Sequence, residues 1–445
     1  MKTTVLYLTI ISGVCAAEVP TYNKDVAPIL YQKCMSCHRA GEVGPFPLAS
    51  FKDAVKHARQ IVDVTDDRIM PPWKPVAGHG EFKGARKLED SQIATLKAWV
   101  DGGKIEGAAA DYQAPPEFPT GWHCGEPDLI LKVAKPFEIP AEGPDIYVHF
   151  VLPLAFSEDK YVRGVQIRPS DRRVAHHGVI LLDGSGKARE MAARHDGDHY
   201  PNFGGPGFIP RGFLPGYAPG MTTRIPAAGA ENEVSLTLGK GLDVVLQMHY
   251  HPTGRATTDQ PQIGLYFTTT PPKRGPAVVL MANNDVDIAP GEARHANVDE
   301  FKLPVDFEVR DIWGHMHMIG KTLKVVAKLP QGGTRDLLEI DDWDFNWQDT
   351  YIYQNPFVLP KDTVIHAEWT WDNSAANPRN PNNPPTRIVL GEGSTDEMSG
   401  LIIGGITVNQ GLDEGIMWLN VLGHYMDAEG KSKAASERRK AADMR

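Results

Sequence analysis

The residues with the most chemical promise lie in Asp311-Ile312-Trp313-Gly314-His315-Met316-His317-Met318-Ile319-Gly320-Lys321. The stretch is largely apolar and fits no helical period, so it reads as a strand. Residues two apart on a strand share a face. His315 and His317 are therefore placed to close on one metal ion, with Met316 and Met318 on the other side. A third ligand is needed. The candidate is Met398 in Ser394-Thr395-Asp396-Glu397-Met398, which precedes another apolar run. Two imidazoles and a thioether form a soft donor set that favours Cu(I) over zinc or iron. A lone His-x-His pair is as readily an ordinary strand feature as a ligand pair, so the rest of the chain must decide.

A second histidine group stands in Arg173-Val174-Ala175-His176-His177-Gly178-Val179-Ile180. Neighbours on a regular strand point to opposite faces, so His176 and His177 reach one ion only at a strand start or a bulge. Downstream, Gln247-Met248-His249-Tyr250-His251 places His249 and His251 on one strand face. Either one could complete a three-histidine site, and each taken alone could equally be a hydrogen-bonded core or surface histidine.

A third chemical feature is Cys34-Met35-Ser36-Cys37-His38, a C-x-x-C-H motif. This is the attachment pattern of c-type haem, in which two thiols bond the porphyrin vinyl groups and the histidine ligates iron. A zinc site would need a second C-x-x-C, and a thioredoxin-like redox pair would need a βαβ pattern; neither is present. Met70, in Arg68-Ile69-Met70-Pro71-Pro72-Trp73, is the expected sixth iron ligand, on a loop stiffened by two prolines.

These groups need distinct scaffolds. Residues 18–107 read as a small helical domain, closed by a helix whose apolar residues 93, 96, 99 and 100 share one face. Its motifs resemble a class I cytochrome c domain. Residues 108–127, rich in alanine and proline, read as a linker in which Cys124 is a small buried thiol. From residue 128 the pattern becomes short alternating strands, among them 146–154, 161–167 and 234–238, separated by Gly/Pro turns. That run is too long for one β-sandwich and suits two, over 128–285 and 286–427, with the boundary near 283–290. Residues 428–445 form a charged tail. The expected architecture is multidomain: a small all-α domain followed by two mainly-β, jelly-roll-like sandwiches.

Composition sets limits. The chain has 445 residues, with 46 basic and 56 acidic side chains and a net charge of −10, which excludes a general nucleic-acid binder. Residues 1–17, basic then apolar and ending in Cys15-Ala16-Ala17, read as a secretory signal peptide. The apolar run is too short to span a bilayer, and Val14 weakens a lipoprotein reading of Cys15. The expected destination is export, to a bacterial periplasm. Three cysteines remain after cleavage, too few for a disulfide scaffold.

The ordered set His176, His177, His249, then His315, His317, Met398 resembles the copper type II, ascorbate-dependent monooxygenases, which include peptidylglycine α-hydroxylating and dopamine β-monooxygenases. Flanking words agree over residues 128–427: Gln247-Met248-His249-Tyr250, His315 to Lys321, Trp343-Asp344-Phe345-Asn346-Trp347-Gln348, Asp396-Glu397-Met398 and Gly216-Tyr217-Ala218-Pro219-Gly220. The resemblance implies two copper ions, an electron-transfer copper at His176/His177/His249 and a dioxygen-binding copper at His315/His317/Met398. It selects His249 over His251, because the family ligand is followed by tyrosine. It implies hydroxylation of a small organic substrate by O₂, with electrons from ascorbate or a redox protein. The helical domain adds one haem c at Cys34, Cys37 and His38 as a possible relay.

The chain also departs from the family. The disulfides of the animal enzymes are missing. Trp313 stands where the peptide enzyme has a carboxylate-clamping arginine, and Gly400 where it has an asparagine. A peptidylglycine substrate is thereby disfavoured. Two rivals compete. A cupin-type dioxygenase would want a glutamate soon after His317, where Met318 to Lys321 supply none. An exported haem and copper electron carrier without hydroxylase turnover would keep the same ligands.

Overall fold

The computed structural model describes residues 18–118, 121–202, 205–218, 235–269, 271–272, 274–283 and 285–443, with side chains described to residue 430 except 429. The expected signal peptide lies outside the described residues. The chain divides into two compact units, residues 1–72 with 86–117 and residues 73–85 with 118–445.

The first unit carries the α-helices Ala27–Lys33, Phe51–Lys56, Ala58–Asp66 and Asp90–Asp101. The last is set by its sequence. Glu89 and Gln92 exchange side-chain and backbone bonds as a capping box, which satisfies otherwise orphaned N–H groups. Ile93, Leu96 and Trp99 then recur on one face and are buried against Tyr22, Val26, Leu30 and Ile61. Trp99 donates its indole N–H to Ile105 O at 3.0 Å, which ties the following turn back to the helix.

The second unit is mostly β, in several antiparallel sheets. Two of these share one core. A five-stranded sheet runs in the order His199–Pro201, Ile146–Pro153, Asp243–Tyr250, Ala175–Asp183, Phe213–Tyr217. A four-stranded sheet runs Leu129–Lys132, Gln262–Thr268, Lys160–Arg168, Leu236–Leu238. Val244, Leu246, Met248 and Tyr250 alternate into the core between them and are fully buried. Val245, Gln247 and His249 consequently lie on the outer face of the five-stranded sheet.

A second pair of sheets repeats the arrangement. One runs Ala277–Met281, Gly400–Thr407, Phe307–His315, Tyr351–Leu359. The other runs His295–Lys302, Val364–Trp371, Gly320–Lys328, Thr334–Ile340. Their shared core is mostly aliphatic but includes Trp343, Trp369 and Trp371, all fully buried. Burying side chains of that size contributes roughly 2–3 kcal/mol each. No disulfide joins the described cysteines Cys34, Cys37 and Cys124.

Several boundaries differ from expectation. The strand Ala277–Met281 pairs with Gly400–Thr407, so the change of sandwich falls between Thr268 and Ala277 and not near 283–290. The β region ends at Thr407, and a helix, Leu412–Asp443, begins well before residue 428. Met417 and Val421 of that helix are buried in the second core, which is why it starts early. Residues 73–85, expected in the helical domain, belong to the second unit. Phe82 packs with Tyr351 and Tyr353, and Val76 N–H bonds Glu339 O at 2.8 Å.

Candidate metal centres

Three neighbouring strands build the first histidine group. Across the five-stranded sheet, Tyr147, His249 and His177 stand in one cross-strand row. The ladder between Ala175–Asp183 and Asp243–Tyr250 shifts register between Ala175 and His177. This is the bulge that two adjacent histidines need in order to share a site. His176 Nδ1 lies 3.2 Å from His177 Nδ1, and His177 Nδ1 lies 3.3 Å from His249 Nδ1. His176, His177 and His249 thus form a group whose nitrogens could hold one metal ion. Two nitrogens about 2 Å from a common ion and this far apart subtend about 110°, an ordinary coordination angle. Burial pushes the His176 imidazole down to about 3 and His177 well below its ordinary value, with their histidine neighbours adding to the effect. Both rings are neutral at neutral pH and offer lone pairs, as ligation requires.

His249 is held on its other side. Its Nε2 faces Asp145 Oδ2 at 3.2 Å, and the ring stacks on Tyr147 with centroids 4.3 Å apart. His251 is not in the group. It is exposed, and its Nδ1 meets Asp145 Oδ1 at 2.6 Å. Burial raises the Asp145 carboxyl, but bonds from His249, Ser394 and His251 outweigh it and hold the group far below the usual carboxylate range.

The second group is built differently from the sequence expectation. The stretch 311–321 is not one strand. The strand Phe307–His315 ends at His315, residues 316–319 turn, and Gly320–Lys328 begins. A side chain at Gly320 would meet Trp343 at 2.7 Å and Met316 Cβ at 2.9 Å, so the turn closes only over glycine. Strand alternation therefore does not bring His317 beside His315. Glu397 does so, by fixing the turn. Its buried carboxylate accepts from His317 N, Ile319 N and Trp371 Nε1, each at 2.8 Å. Burial pushes Glu397 up to about 8, against the same N–H bonds that favour its charged form. The His315 and His317 rings lie 5.0 Å apart and nearly perpendicular.

Bonds at the far nitrogens orient both rings. His315 Nδ1 lies 2.6 Å from Gln348 Oε1, and Gln348 donates its amide to Phe345 O at 2.9 Å. His317 Nδ1 lies 3.2 Å from Asp396 O. With Nδ1–H donated in each case, Nε2 is the nitrogen left for an ion. Burial lowers His315 to about 4 and His317 well below its ordinary value. Met398 follows Glu397. The antiparallel ladder ends with Gly400 opposite His315, and Met398 N–H bonds the Glu397 carboxylate at 3.3 Å. A Cβ at Gly400 would stand 3.2 Å from His315 Cβ, so glycine leaves that ring its space.

The two groups lie on outer sheet faces that look at each other. The His177 and His315 ring centroids are 6.2 Å apart. Phe345 stacks on His176 at 4.4 Å and meets His317 edge-on at 5.9 Å, so it fills space between the groups. Trp313 stacks on His315 at 5.5 Å and closes another side.

In the first unit, Cys34, Cys37 and His38 gather at the end of Ala27–Lys33, where Cys37 N and His38 N both bond Cys34 O. His38 Nδ1 lies 3.0 Å from Phe46 O, so Nε2 is the ring nitrogen that could act as a ligand. Burial and the neighbouring Cys37 push the Cys34 thiol up to about 12. Met70 follows Ala58–Asp66, its side chain exposed and its N–H bonded to Val64 O. Nothing in the described geometry joins its sulfur to His38.

Sequence reasoning did not single out Asp145, Tyr147, Glu397 or Gln348 as supports for these rings. Glu397 and Gln348 lay within the quoted words but had no role; Asp145 and Tyr147 carried no motif. No helix among the described residues is long and apolar enough to cross a membrane.

No family model matches the chain, and no curated protein matches it. Among solved structures it is similar to the major capsid protein P2 of bacteriophage PM2, at 11% identity and TM-score 0.29 over 63% of this chain and 98% of that one. PNGF-II gives 9% identity and TM-score 0.25 over 64% and 66%. The VP2 subviral particle of infectious bursal disease virus gives 11% and 0.18 over 63% and 73%. Likenesses this low carry no argument about fold or function.

Proposed function

We propose that the chain is a copper-dependent monooxygenase that hydroxylates a C–H bond of a small organic substrate, and that residues 18–72 with 86–107 form a cytochrome c domain with one covalent haem c. One observation carries the reading: two separate histidine groups, one from each sandwich, face each other across 6.2 Å between ring centroids. A structural histidine pair needs no such partner.

The donor sets fit the groups they would hold. His176, His177 and His249 converge through Nδ1, within reach of one ion. His315 and His317 keep Nε2 free, with Met398 as the thioether that completes a set suited to Cu(I). Cys34, Cys37 and His38 are arranged for covalent haem, with Met70 proposed as the sixth ligand once haem is bound. When bound, copper and haem supply one-electron transfers and the activation of O₂. The overall reaction is R–H + O₂ + 2e⁻ + 2H⁺ → R–OH + H₂O, with electrons from ascorbate or an exported redox protein.

The residues of the chain do the rest. Gln348 and the Asp396 carbonyl hold His315 and His317 in one tautomer, which fixes both the ring plane and the nitrogen that faces the ion. Phe345 stands between the groups, stacked on His176 and edge-on to His317. Trp313 presents an aromatic wall where a basic clamp would bind a carboxylate, which favours a substrate without that group. Export to the periplasm fits haem attachment.

The test is metal analysis of the full exported chain by mass spectrometry, a pyridine-haemochrome spectrum, and exposure of the reduced protein to ¹⁸O₂ with candidate substrates. Two coppers, one haem c and ¹⁸O in the product are expected. Zinc or iron in both histidine groups of copper-grown protein defeats the copper assignment. Full copper loading without labelled product across the substrate panel favours the electron carrier.

A further inference from the structure

Asp145 occupies an unusual position. It precedes the strand Ile146–Pro153, whose ladder sets Ile146 opposite Tyr250, so residue 145 stands beside residue 251 at the sheet end. Its side chain is 6% exposed and is bonded on both oxygens. Oδ1 meets His251 Nδ1 at 2.6 Å. Oδ2 faces His249 Nε2 at 3.2 Å and accepts from Ser394 N at 2.9 Å and from Ser394 Oγ. Ser394 belongs to the other sandwich, in the segment that leads through Asp396 and Glu397 to Met398. Next to it, Tyr147 donates its hydroxyl to Glu392 O while stacking on His249.

We propose that Asp145 is a positioning residue that locks the His249 tautomer and, through Ser394, fastens the Met398-bearing segment to the first histidine group, so that both groups are held in one frame. The copper part of this role rests on the proposed function; the hold on His249 and on Ser394 does not. The physical reason is plain. The negative charge of a carboxylate 3.2 Å from Nε2 favours the ring proton on that nitrogen and leaves the Nδ1 lone pair to face His177 Nδ1 and the Tyr147 hydroxyl, each at 3.3 Å. The same oxygen satisfies two donors of a segment that has no sheet partner beyond its one bridge between Leu390 and Glu397 among the described residues.

The experiment uses the full chain, first without metal and then loaded with Cu(II). In wild type, ¹⁵N NMR should show His249 as the Nε2–H tautomer. Asp145→Asn should mix the tautomers and raise amide exchange over residues 394–398 by roughly tenfold to a hundredfold, the range for losing a charge-assisted bond. Ser394→Ala should raise exchange in that segment and leave the His249 tautomer alone. His251→Ala, on the exposed arm, should change neither. On Cu(II) loading, Asp145→Asn should shift the hyperfine splitting of the three-histidine signal, a readout that loss of packing alone would not move in a folded variant. An unchanged His249 tautomer and unchanged exchange in Asp145→Asn overturn the proposal. If that variant fails to fold, unchanged exchange in Ser394→Ala overturns it. Wild type that takes no copper, with the tautomer and exchange results as expected, defeats the copper reading and leaves the role of Asp145 standing.

Discussion

Glu397 is the most informative side chain to remove. It is fully buried and satisfies the N–H groups of His317, Ile319 and Trp371 at 2.8 Å each. Glu397→Ala strands these three donors and also removes the acceptor that Met398 N–H meets at 3.3 Å. Each costs about 1–3 kcal/mol, and because the three share one acceptor the sum is not fully additive, so the loss should be about 3–5 kcal/mol. Glu397→Gln keeps an acceptor oxygen but turns an NH₂ toward a donor, and should cost about 1–3 kcal/mol. The assay is urea denaturation of the full chain followed by tryptophan fluorescence, since Trp371 bonds Glu397 directly. Hydrogen exchange at His317 and Ile319 serves as the local measure. The alanine variant should unfold its second sandwich at lower urea, and both amides should lose protection. A loss below about 1 kcal/mol with protection intact would refute the claim that Glu397 holds the 316–319 turn.

Four further outcomes follow. The Asp311 carboxyl is pushed up to about 6 by burial, with Arg310 opposing. Its folded-state value exceeds the unfolded one, so its neutral form stabilises the fold at low pH and that contribution is lost as pH rises through 6. Asp311→Asn should therefore gain about 2 kcal/mol over wild type between pH 4 and pH 8, measured by denaturation at both. His176→Ala should lose one copper while the reduced protein still binds CO at the other site, read by mass spectrometry and infrared spectroscopy. Cys34→Ala with Cys37→Ala should abolish covalent haem, read by the pyridine-haemochrome spectrum; haem that survives denaturing separation would refute the attachment. Met398→His should keep copper but lose the copper–sulfur contribution in X-ray absorption of the reduced protein, with turnover suppressed because nitrogen favours Cu(II).

The sequence by itself determined the groups that can do chemistry. Cys34, Cys37 and His38 stand out as a contiguous motif, because the proposed covalent attachment needs fixed local spacing. His176 and His177 could share an ion only on a distorted strand, and the register shift at Ala175 to His177 is that distortion. Gln247 to His251 read as a strand with His249 and His251 on one face, because pleating gives side chains a period of two. The tertiary structure decided what joined them. Tyr147, His249 and His177 form a row only because their strands are neighbours in an order that differs from their order in the chain. His317 reaches His315 through a turn held by Glu397, about 80 residues away, not by strand alternation. Asp145 contacts Ser394, 249 residues away, in the other sandwich. Such contacts carry no local pattern, because hydrogen bonds between sheets depend on where the backbones meet in space. For the same reason, residues 73–85 and 412–427 packed with cores that their own composition did not specify.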